Sequence, residues 1–177
     1  QIWLAAGFAI YALVLLKYPR AWLIVVPVAM PSFDLAFFSG WFFFDEFDAL
    51  VLVTAAILYW RQPLRRQDFR LSWPPWVAVI LLCASYGAST AVQLYPWPPI
   101  DGNSFASYYS PFNALRVAKG FLWPVLLLPH LSHAVRESPE AGKLLAAGLV
   151  AGLSGMALIA LYEHWLFVGL FNFVHEY

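Results

Sequence analysis

Arg116 and Lys119 lie one helical turn apart in the apolar run Pro111–Leu131 (PFNALRVAKGFLWPVLLLPHL). They therefore share one face of a helix. A cation inside a membrane span is costly to place, and it marks a functional site by default. Fifteen residue steps separate Arg116 from Leu131, about 22 Å of helix against a hydrocarbon core of about 30 Å. That places Arg116 in the outer part of the core or at its edge. Two readings stand side by side: snorkelling to lipid phosphates or pairing with a neighbouring acid, and a dedicated site for an anionic head group such as a phosphate or pyrophosphate.

Asp45, Glu46 and Asp48 form the complementary cluster, in FFFDEFDALVL. About 18 Å of helix, Ala49–Trp60, separates them from the Arg-rich end. Either this helix is short and its acids are wet, or the acids line a cavity with Arg116 and Lys119. In the cavity they would orient the cations, accept hydrogen bonds from sugar hydroxyls, or act as a general base. Asp34 follows two prolines in a helix they interrupt; it either lines a cavity, as broken helices at membrane depth do, or sits in a turn at the outer surface. Tyr108 and Tyr109, with Trp97 and Phe105, belong to the loop Tyr95–Pro111. They either stack on sugar rings or form an interfacial aromatic belt.

No metal or cofactor is expected. His130 and His133 fall near one end of the spans, and His164 and His175 near the other, so the four do not meet at one centre. Cys83, the only cysteine, excludes an internal disulfide and a multi-cysteine metal site. Net charge is zero, which gives no bulk field for nucleic acid.

These residues are carried by a strongly apolar chain. Its 177 residues are 62% hydrophobic and only 11% charged, against about 25% charged for a soluble domain. Mean hydropathy is +0.69. The expected fold is all-α: a polytopic transmembrane bundle of about six spans forming a single membrane domain over residues 1–177. The spans are expected at Ile2–Leu16, Ala21–Phe38, Trp41–Trp60, Trp73–Tyr95, Phe112–Leu131 and Leu144–Tyr162, with residues 163–177 a further element or a surface loop. Lys17 and Arg20, then Arg61, Arg65, Arg66 and Arg70, then Arg136 and Lys143 fall in alternate loops, which the positive-inside rule makes cytoplasmic. Gly148, Gly152 and Gly155 give the sixth span a small-residue stripe suited to close helix approach. The ends of the sequence lead to the expectation of a piece of a longer polytopic protein, whose other helices would be partners.

The segments Phe42–Arg61 (FFFDEFDALVLVTAAILYWR) and Pro111–Leu128 (PFNALRVAKGFLWPVLLL) resemble early spans of the O-antigen polymerase and O-antigen ligase superfamily. The resemblance covers about a third of the chain. It implies metal-independent transfer or polymerisation of a saccharide carried on undecaprenyl pyrophosphate, at the outer face of the bacterial inner membrane. It also implies that Arg116 and Lys119 contact the pyrophosphate. The family's large outer loop has no counterpart in this sequence. The alternatives are a transporter or flippase segment, and a non-catalytic membrane subunit.

Overall fold

The computed structural model describes residues 2–33, 43–61, 73–102, 104–105 and 109–166. Among them it is all-helical, with α1 (Ile2–Lys17), α2 (Trp22–Phe33), α3 (Glu46–Arg61), α4 (Trp73–Gln93), α5 (Asn113–Glu137) and α6 (Pro139–Leu166). Two segments are long and apolar enough to cross a membrane, Trp73–Gln93 and Pro139–Tyr162. α1 and α2 are apolar but shorter. Asp34, Arg65, Arg66, Arg70, Tyr108, His175 and the final residues 167–177 lie outside the described residues.

Six helices occupy the six expected positions, with shifted ends that have local causes. α3 starts at Glu46 rather than Trp41, because Asp45 and Asp48 close a capping box. The Asp45 side chain accepts the Asp48 N–H at 2.9 Å, and the Asp48 side chain accepts the Asp45 N–H at 3.0 Å. α6 starts at Pro139, five residues before the expected Leu144. Ser138 caps it by accepting the Glu140 N–H at 3.3 Å, and proline is well placed at a first helical position. α5 runs through Pro124 and Pro129 to Glu137, and the Ser138 N–H donates to the Ala134 carbonyl at its end.

The core joins α1, α2, α3 and α5 through Tyr11, Leu15, Leu23, Leu50, Val51, Leu58 and Leu127. α3 is central. The Tyr11 hydroxyl meets Thr54 at 2.8 Å, and Thr54 donates to the Leu50 carbonyl at 2.7 Å. Arg61 donates to the Leu15 and Leu16 carbonyls. These carbonyls belong to the last turn of α1, where a cation both supplies missing donors and complements the helix dipole. α4 has no buried residue and packs against α5.

The most extensive helix pairing is α2 with α6. Its register follows from two prolines and two glycines. Pro27 has no N–H to give the Leu23 carbonyl, and Pro31 has none to give the Pro27 carbonyl. Those two carbonyls are the ones nearest Gly148 and Gly152. A Cβ built on Gly148 would lie 2.6 Å from the Leu23 oxygen, and one on Gly152 would lie 2.5 Å from the Pro27 oxygen. Each glycine thus brings its Cα hydrogens to a carbonyl that lost its helical donor, a geometry suited to weak C–H···O contact. Gly155, the third member of the expected stripe, has nothing within 4 Å of its built Cβ and takes no part.

Candidate functional site

A cavity of about 390 Å³ lies among α2, α3, α4 and α5. Asp45 and Asp48 from α3 and its cap, and Arg116 and Lys119 from α5, all contribute to its wall. The remaining wall is apolar or aromatic and includes Met30, Tyr86, Phe121 and Trp123. Of the two arrangements open for the acids, burial is the one observed. Asp45, Glu46 and Asp48 are 4%, 2% and 2% exposed.

Helical periodicity on α5 explains the meeting. Arg116, Lys119 and Trp123 stand at successive one-turn intervals and form a polar stripe facing the start of α3. Lys119 donates to the Asp48 carboxylate and to the Phe43 carbonyl, and its ammonium lies over the Phe43 and Phe44 rings at 5.5 and 5.9 Å. The Trp123 indole N–H donates to the other Asp48 oxygen. Asp48 therefore accepts from a backbone N–H, an ammonium and an indole at once. Such a carboxylate is anchored on both oxygens, which suits positioning.

Two acids and two bases in one wall sum to no net charge. An incoming anion meets a balanced lining, not a positive one. Its binding must come from rearranging these charges, as by drawing Lys119 away from Asp48. Tyr86 and Phe121 stack at 4.3 Å beside these charges. A second hollow, of about 180 Å³, shares Tyr86 and Val117 with the first and is lined by Ser85, Ser89, Thr90 and Gln93. Ser85, Ser89 and Gln93 recur every four residues on one face of α4, so the hydroxyl-rich face runs along the edge of the charged cavity. Thr90 uses its hydroxyl internally, donating to the Tyr86 carbonyl at 2.8 Å.

The loop above the site is pinned by rings. Phe105 packs on Phe43 and on Phe112, each at 5.0 Å between centroids, and Trp97 packs on Phe112 at 5.9 Å. Ser104 donates to the Asp101 carboxylate at 2.9 Å and its own oxygen accepts the Asp101 N–H at 2.7 Å, which fixes the turn. Phe105 thus serves the loop's own packing. Tyr109 is 99% exposed and does not line the cavity. Tyr108 lies outside the described residues. Glu46, although buried, is not part of the cavity wall either.

Trp123 is the site residue that sequence reading missed. Its signal was present: it stands four residues after Lys119, and a buried tryptophan seeks an acceptor for its N–H. Among the described residues no three His, Cys, Asp or Glu side chains gather in a way that could hold a metal ion. No known protein family, characterised protein or solved structure matches the chain.

Proposed function

We propose that this chain is a multi-pass membrane protein that seats the phosphate end of a lipid-linked saccharide in the Arg116–Lys119 cavity, for transfer or polymerisation of the glycan at the outer face of a bacterial inner membrane. One observation carries the reading: Arg116, Lys119, Asp45 and Asp48, from helices far apart in sequence, converge on one cavity. Charged groups at this depth are tolerated where they face protein or water and serve a substrate. Two long and two shorter apolar helices, with basic residues clustered at alternate connections, support the multi-pass arrangement.

The roles divide by partner. Arg116 is the group best suited to a pyrophosphate, because a guanidinium offers a planar, bidentate donor set. Lys119 is already engaged by Asp48 and helps hold Arg116's helix against α3. The hydroxyl face of α4 supplies hydrogen-bonding groups for a sugar beside the phosphate. Asp45, on the same wall, is the carboxylate assigned to an acceptor hydroxyl, and Asp48, which accepts from three donors, is assigned to positioning. A leaving pyrophosphate gains most from fixed cations in a dry site, where the charge develops.

The test is equilibrium binding of a polyprenyl pyrophosphate to the purified protein in neutral detergent. Arg116→Ala should weaken binding by about 10- to 100-fold, the value of one lost charge-assisted hydrogen bond. Lys143→Ala, on the surface of α6, should leave it unchanged. Equal affinity in a folded Arg116→Ala protein removes the reading. A second reading, transport, is favoured by the Lys119–Asp48 pair, because intramembrane ion pairs line substrate paths. Absence of gradient-driven flux in proteoliposomes counts against it.

A further inference from the structure

The opposite end of α5 carries a second polar cavity. It has a volume of about 360 Å³ and is lined by Lys17, Tyr18, Arg20, Trp22, His130 and Glu137, among others. Fourteen residues of α5 separate His130 from Arg116, about 21 Å along the helix. The two cavities are therefore distinct, and a role for the second does not depend on the function proposed for the first.

His130 is the informative group. It is 2% exposed, yet neither ring nitrogen has a hydrogen-bond partner. Its neighbour Tyr59 stands perpendicular to it at 4.4 Å, but the Tyr59 hydroxyl is spent on the Leu126 carbonyl at 3.0 Å. Buried polar groups are nearly always paired, and an orphaned one calls for an explanation. A neutral imidazole carries one N–H donor, and the residue that carries it lines a cavity large enough for a ligand. The charged groups around it are Lys17, Arg20 and Glu137. Arg20 and Glu137 pair across the rim at 3.5 Å, while Lys17 lies over the Tyr18 ring at 5.3 Å. One positive charge is left in excess.

We propose that this cavity binds a phosphate group, with His130 donating from the buried wall and Lys17 and Arg20 supplying charge at the rim. The lining is rich in donors, and its one carboxylate is already matched by arginine. Such a lining suits an anion with several acceptor oxygens and disfavours a cation. A phosphate group reaches this end of the bundle from two sources, a lipid head group in the adjoining leaflet or a free anion in the aqueous phase.

The experiment follows the imidazole nitrogens of His130 by NMR in 15N-histidine-labelled protein, delipidated in neutral detergent. His130→Phe assigns the signal and Lys17→Gln, at an exposed position, tests the charge without disturbing the core. One arm adds inorganic phosphate; the other adds phosphatidylglycerol to the micelle, with a phosphate-free galactolipid as control. A saturable shift of the His130 nitrogens, with an apparent Kd raised about tenfold in Lys17→Gln, supports the site. Response to phosphatidylglycerol alone assigns the lipid source, and response to inorganic phosphate alone assigns the free anion. No shift in either arm, a shift reproduced by the galactolipid, or one unaffected by Lys17→Gln overturns the proposal.

Discussion

Asp48 accepts from the Asp45 backbone, the Lys119 ammonium and the Trp123 indole, and it is 2% exposed. Removing one member of a buried ion pair leaves an uncompensated charge and costs about 3–5 kcal/mol. Asp48→Asn and Lys119→Met are each expected to destabilise the protein by that order in thermal unfolding in detergent. The double variant should recover a large part of the loss, because neither charge is then stranded. Additive losses would show that the two side chains act separately. Trp123→Phe should cost about 1–3 kcal/mol through the acceptor it leaves unsatisfied. The cavity's four charges were legible from residue type and helical depth. The three donors on one carboxylate were not, because spacing along two helices does not fix their relative rotation. The capping box had a local signal, an acid at Asp45 and another three residues on. Its meaning was obscured by the aromatic run before it, which reads as a continuation of the span.

Between elements, the α2–α6 pair offers a discriminating comparison. Gly148 and Gly152 meet α2 backbone that has no side chain to give way, whereas Gly142 and Gly155 meet nothing within 4 Å. Gly148→Ala and Gly152→Ala are each expected to destabilise by about 1–3 kcal/mol through overpacking. Gly155→Ala should be neutral or slightly stabilising, since alanine is the better helix former. The measurement is again thermal unfolding, and an equal effect at all three positions would contradict the close approach. The small-residue stripe was readable on α6 alone. Its partner was not, because the matching signal on α2 consists of missing N–H groups at Pro27 and Pro31, which a hydropathy reading registers only as interruptions.

At the scale of the whole molecule, large apolar side chains stand exposed along α4 and α6. Ile80, Leu81 and Leu82 on α4 and Leu149, Val150, Leu153 and Leu158 on α6 are all exposed. In the multi-pass reading they face lipid. Cys83, exposed on α4, should then resist a membrane-impermeant maleimide in sealed vesicles while reacting once detergent is added. In a Cys83→Ser background, Lys143→Cys and Asp101→Cys should be labelled from opposite sides, and labelling from the same side would refute the alternation. Composition made the all-helical character legible, and six helices stand where six spans were expected. Two of them are both long and apolar enough to cross a membrane; α1, α2 and α3 are shorter as described, and α5, at 25 residues, is long enough but carries too little apolar character. The Asp48 network also bears on the order of assembly in the cell. Its two side-chain donors lie 71 and 75 residues downstream, on a helix synthesised after α3 and α4. An unneutralised carboxylate costs about 2.5–3.5 kcal/mol to insert. In the multi-pass reading α3 is thus a reluctant entrant to the bilayer until α5 emerges from the ribosome. A nascent chain halted before Asn113 should leave Asp48 exposed to the quality-control proteases that recognise poorly settled spans.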